Sequence, residues 1–204
     1  MFENLREDFN VYAPFVGIKR GRGIFGHPWI FNTQRFLGAL WMFPLSAVVL
    51  YRLKCWLRAH HAPILPRLVD WLNMLIWRVQ IADSVRIGPG LCISHGDVMA
   101  AGEVKIGRNC TLNPWAGLGL AHKRVVSHPV DGILGPTVGD NFFLGVGSYV
   151  LGPIKIGDNV RVGAHSVVIR DVPDNAIVAG NPARPLEPKE SDIAGTVPDS
   201  AKES

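Results

Sequence analysis

The sequence predicts a mainly β fold: a parallel β-coil of six-residue repeats, with an α-helical region before it and one loop protruding from it. Three observations predict this. Aliphatic residues return every sixth position, glycine follows many of them, and the first 80 residues lack that interval altogether.

Reading every sixth residue from Ile81 gives Ile81, Ile87, Ile93 and Met99. One extra residue intervenes, and the series resumes as Ile106, Leu112 and Leu118. After a break it runs Val138, Leu144, Val150, Ile156, Val162 and Val168. Glycine follows the series at Gly88, Gly107, Gly119, Gly139, Gly145, Gly157 and Gly163. A helical period of 3.6 cannot hold this alignment, and a flat strand alternates every two residues. Each repeat is therefore one short strand and one turn, and stacking the coils gathers the aliphatic residues into a continuous core.

The break, residues 119–137, is too long for a corner and is expected to leave the coil as a loop of the kind that carries function. The coil is expected to span residues 81–186. The polar tail, residues 187–204, is expected to be disordered.

Residues 1–80 read as a helical region interrupted by Pro44 and by Ala62–Pro66. Its apolar stretch Phe36–Tyr51 is 16 residues long and contains a proline, short of the roughly 20 residues a spanning helix needs. The region holds 10 Lys/Arg against 4 Asp/Glu, and the remainder 11 against 13, although the whole chain is only +4. Five of the six tryptophans share the basic region. That pairing fits either a packed helical unit with a solvated face or peripheral membrane contact through residues 28–80. No recognition motif supports a nucleic-acid partner. Cys55, Cys92 and Cys110 form no CxxC pair, and the polar start has no secretion-signal pattern. A cytoplasmic setting follows, with the inner face of the membrane kept open.

The repeats, with "GAHSVVIRDVP" and "AGNPAR", resemble the hexapeptide-repeat acyltransferases. That resemblance adds a left-handed, three-sided parallel β-helix to the solenoid read from the period. Within the superfamily the chain is most similar to serine acetyltransferases and to O-acetyltransferases of bacterial surface polysaccharides. The similarity covers about residues 1–186, counting a weak "LREDF" echo, and is specific from Gln80 to Arg184. In the family a histidine stands seven residues before a Gly-Glu pair and acts as general base; here His95 stands seven before Gly102-Glu103. An acetyl thioester is already activated, so the enzyme has only to take the acceptor's proton, a task matched to an imidazole. The competing reading is a surface histidine on a solenoid face.

The family's orienting aspartate, fifteen residues before the base, is Gln80 here, and Asp97 or Glu103 could take its place. Its aspartate immediately before the base is Ser94, and its later Arg-His pair is Leu134-Gly135. Because the groups that clamp an amino acid's charged ends are missing, the expected acceptor is a sugar hydroxyl in polysaccharide or glycolipid assembly. A serine acetyltransferase and a non-enzymatic assembly module are the alternatives. His122 and His128 in the loop are secondary candidates for base or acceptor contact. A zinc site of His95, His122 and His128 is not expected, since the loop spacing is H-x5-H where zinc-dependent relatives have H-x4-H. The resemblance implies acetyl-CoA as donor, lying along Gly145, Val146, Gly163 and Ala164, with Arg170 and Arg184 near its phosphates. It also implies a homotrimer, with a hexamer as a further possibility.

Overall fold

A computed structural model describes residues 2–12, 45–119 and 135–186. His122, His128, Leu134 and the 187–204 tail lie outside the described residues, as does the whole stretch 28–44. The described part opens with α1 (Phe2–Tyr12), α2 (Leu45–Ala59) and α3 (Leu65–Trp77). Pro66 suits the first turn of α3, where its missing N–H has no partner to lose. The helix stops at Arg78, which turns to φ 55° and donates its N–H to Met74 O at 3.0 Å. No helix among the described residues is long and apolar enough to cross a membrane.

From Gln80 the chain coils around three parallel faces. The first face carries β1 (Gln80–Ile81), β4 (Met99–Ala100), β7 (Gly117–Gly119), β10 (Tyr149–Leu151) and β13 (Val167–Val168). The second carries β2 (Arg86–Ile87), β5 (Lys105–Ile106), β8 (Thr137–Val138) and β11 (Lys155–Ile156). The third carries β3 (Cys92–Ile93), β6 (Thr111–Leu112), β9 (Phe143–Leu144), β12 (Arg161–Val162) and β14 (Ile177–Ala179), closed by the antiparallel β15 (Arg184–Pro185). Ile93, Leu112, Leu144, Val162 and Val178 stack in register and are all buried. Burying such a column removes apolar side chains from water at ~1.5–3 kcal/mol each.

The corners explain the rest of the pattern. A side chain on Gly88 would place its Cβ 2.6 Å from Gly107 O, so the coils stack there only without one. At the adjoining positions Asn109, Asn141, Asn159 and Asn175 all adopt positive φ, between 54° and 61°. Asparagine tolerates that conformation, and its amide adds a ladder: Asn141 Nδ2 donates to Asn159 Oδ1 at 2.9 Å, and Asn159 Nδ2 to Asn175 Oδ1 at 3.0 Å.

Met99 is a correction to the sequence reading. Its side chain is 47% exposed, and Ala100 is the inward residue, 1% exposed and paired with Leu118. Ile93 is aligned with Leu112, so six residues separate the inward positions 93 and 100 where five separate 112 and 118. The extra residue therefore sits before the strand, in the turn Ser94–Val98. A one-residue displacement reverses which side chains face the core, and Met99 turns outward as a result.

A coil's first turn has no neighbour below it, which leaves a row of unpaired backbone groups. Side chains of α1 and α2 satisfy them. Tyr12 Oη donates to Ile93 O at 2.8 Å and accepts from Ile93 N at 2.7 Å. Asp8 Oδ1 accepts from Leu91 N at 2.8 Å, while Arg52 donates to Ile87 O and Gly88 O. Arg52 Nε also meets Asp8 Oδ2 at 2.8 Å, both side chains being buried. Lys54 donates to Ile81 O and pairs with Asp70 at 2.7 Å.

Candidate active site

His95 stands in the enlarged turn between β3 and β4. Its side chain is exposed. An extra residue at a strand junction bends the chain and re-aims a side chain; here the corner that carries the exposed His95 has one residue more than the same corner of the next coil. Ser94, on the β3 side, donates from Oγ to Asn113 Oδ1 at 2.8 Å, and Asn113 Nδ2 donates to Leu144 O at 2.8 Å. The turn is pressed onto the end of α3. Asp97 N donates to Trp77 O at 2.9 Å, and a Cβ on Gly96 would come within 1.9 Å of that oxygen. Only glycine fits there.

The strand register puts the candidate residues on one edge of the prism. Ser94, Asn113, Gly145 and Gly163 follow β3, β6, β9 and β12, so they lie above one another, with Val146 and Ala164 beside the last two. At ~4.8 Å per coil, His95 is separated from Ala164 by roughly 14 Å along this edge. Gly145 needs to be glycine for packing within the chain, since a Cβ would lie 2.6 Å from Val162 O. Val146 is half-buried and Ala164 exposed, forming a low outer rim. Arg184, exposed on β15, pairs with Ala179 at the upper end of the same edge. Arg170 does not share it: this exposed residue follows β13 and occupies the next corner.

The suggested partners of His95 point elsewhere. Gln80 Nε2 donates to Met74 Sδ at 3.2 Å. The Asp97 carboxylate takes Arg78 Nε at 2.8 Å. Glu103 is at another corner, beside Gly102. Among the described residues no three His, Cys, Asp or Glu side chains converge as a metal site would require.

Sequence reasoning missed Arg78. Its signal was present in the spacing, because Arg78 precedes Asp97 by one coil plus the extra residue. Arg78, Asp97, Trp115, Gly147 and His165 form a column with φ of 55°, 61°, 56°, 63° and 53°.

Comparison with known proteins places this geometry. The family model described as bacterial transferase hexapeptide (six repeats) matches residues 135–170. The chain is 39% identical over 140 residues to a serine acetyltransferase of Synechococcus elongatus, covering 68% of this chain and 55% of that protein. It is 32% identical over 143 residues to a serine acetyltransferase of Helicobacter pylori, covering 70% of this chain and 80% of that protein. The structure of a soybean serine acetyltransferase apoenzyme matches with a TM-score of 0.66 at 26% identity, over 90% of this chain and 68% of that one. The coil is thus the left-handed β-helix of the hexapeptide-repeat transferases. Within them, the chain belongs to the serine acetyltransferase family. It spans little more than half the length of the Synechococcus relative.

These relatives correct the expected acceptor. The sugar hydroxyl was inferred from missing clamp residues, but relatives 32–39% identical are serine acetyltransferases. Gly135 shows why that inference was weak. It is buried, and a Cβ there would lie 2.7 Å from Glu103 O, so packing excludes a side chain whatever the acceptor.

Proposed function

We propose that the protein transfers an acetyl group from acetyl-CoA to the hydroxyl of serine or a close analogue, with His95 as general base. One observation carries this reading: His95 projects from the enlarged turn on the same prism edge as the small rim residues Val146 and Ala164. A donor laid along that rim brings its thioester down toward the imidazole. His95 takes the hydroxyl proton as oxygen attacks the carbonyl carbon. The tetrahedral intermediate then collapses, the carbon–sulfur bond breaks, and the imidazolium returns the proton to the departing thiolate. Backbone N–H groups of the turn are the available oxyanion donors. Gly145, Val146, Gly163 and Ala164 line the donor path, and Arg184 at its upper end meets the phosphates. Arg170, at the next corner, serves donor binding only from a neighbouring subunit's groove, which fits a trimer of side-by-side prisms. Residues 81–186 are the transferase unit, and the described helices α1 and α2 supply its lower cap.

Thiol release from acetyl-CoA with L-serine tests the reading. Turnover in His95→Ala is expected to fall about 10²- to 10⁴-fold with CoA affinity retained. An unmodified protein that leaves L-serine unacetylated, or a His95→Ala variant with most of its turnover, overturns the proposal.

A further inference from the structure

We propose that Arg78 and Asp97 form the clamp for the acceptor's charged groups, Arg78 taking the α-carboxylate and Asp97 the α-ammonium of a hydroxy amino acid. This rests on the reading of the His95 turn as the site of acetyl transfer. A serine acetyltransferase must hold a zwitterion, and the positions where relatives of this fold were expected to supply the charges are Ser94, Leu134 and Gly135. The Ser94 hydroxyl is tied to Asn113, and Gly135 has no room for a side chain. The charges have to come from somewhere else near His95.

Arg78 and Asp97 meet that need. Asp97 is two residues from His95, so their Cα atoms are at most about 7 Å apart. The ion pair uses Nε of the guanidinium and one carboxylate oxygen, 2.8 Å apart. Among the described residues, the two terminal guanidinium nitrogens and Asp97 Oδ2 have no hydrogen-bond partner. Two parallel N–H groups are the geometry that grips a carboxylate, and the remaining carboxylate oxygen is an acceptor for an ammonium. The two sites lie side by side, as the two charges of an α-amino acid do.

The fold gives no other reason for this pair. The Arg78 side chain is 76% exposed, and exposed ion pairs contribute ~0–1 kcal/mol. The turn is already held by the Asp97 N to Trp77 O bond and by Gly96 packed on the same oxygen. Both residues sit at positive φ, the left-handed corner conformation that Trp115, Gly147 and His165 of the same column share.

Three acceptors separate the charges: L-serine, ethanolamine (no carboxylate) and 3-hydroxypropanoate (no ammonium). With L-serine, Arg78→Ala is expected to raise KM about 10- to 100-fold and leave kcat within about threefold. Arg78→Lys should recover part of the loss. With ethanolamine, Arg78→Ala should change KM far less than with L-serine, because only the support that Arg78 gives Asp97 is lost. Asp97→Asn should raise KM for L-serine and ethanolamine far more than for 3-hydroxypropanoate. If the unmodified protein acetylates L-serine while Arg78→Ala leaves its KM unaltered, the clamp is wrong and the proposed function stands. Equal loss of kcat on all three acceptors means that the pair only shapes the turn, and also overturns the clamp. Failure of the unmodified protein on L-serine removes both.

Discussion

Cys92, on the outer face of β3 against Tyr12, and Cys110 are both buried, and burial pushes both thiols up to about 11 from an ordinary 9.0. They should therefore resist iodoacetamide in the folded protein while exposed Cys55 reacts, a difference that mass spectrometry of digested peptides reads directly. The same shift fixes a sign. Between about pH 9 and 11 the unfolded chain loses thiol protons that the folded chain keeps, so ionisation favours unfolding and stability falls. The buried phenols of Tyr12 and Tyr51, also raised chiefly by burial, act in the same direction. Denaturation midpoints are expected to hold steady from neutral pH up to about 9 and to decline above it, less steeply in Cys92→Ala. A flat profile to pH 11 contradicts the buried environment. At this scale His95 stands out as a candidate because its spacing to Gly102-Glu103 is a chain property. The Arg78–Asp97 pair was not, since it depends on where α3 ends and how the turn folds back.

At the scale of elements, the six-residue period carried nearly all of the coil, because each inward side chain is fixed by register. It failed at one place, Met99, where the inserted residue precedes β4 and the period alone cannot say on which side of a strand an insertion falls. Helix was legible in the first 80 residues, but the purpose of the helices was not. Asp8, Tyr12, Arg52 and Lys54 look like ordinary polar positions, and their partners on the coil lie 27 to 83 residues away. Their contribution can be measured. Asp8→Asn leaves the buried Arg52 charge without its counterion, and an unpaired buried charge costs about 3–5 kcal/mol. Tyr12→Phe removes one donor and one acceptor at Ile93, with an expected loss of about 1–3 kcal/mol. Urea titration of both variants checks the order: a smaller loss for Asp8→Asn than for Tyr12→Phe argues against the ion pair as the main fastening of the cap.

For the whole molecule, a prism edge is one wall of a groove, and acetyl transfer on that edge calls for a second wall. A trimer is the expected state, and light scattering should return three times the chain mass. A monomer that still turns over acetyl-CoA removes the need for a shared groove. The two ends of the prism have a different consequence. A parallel coil has polarity, and its lower rim and upper rim are complementary, so an uncovered pair would let one molecule continue the coil of the next without limit. The lower rim is occupied by Asp8, Tyr12, Arg52 and Lys54, and β15 crosses the upper one in the antiparallel sense. Read this way, the helical cap terminates a potential filament: a chain stripped of α1 and α2 presents a naked β-edge to its own kind and should grow into fibres.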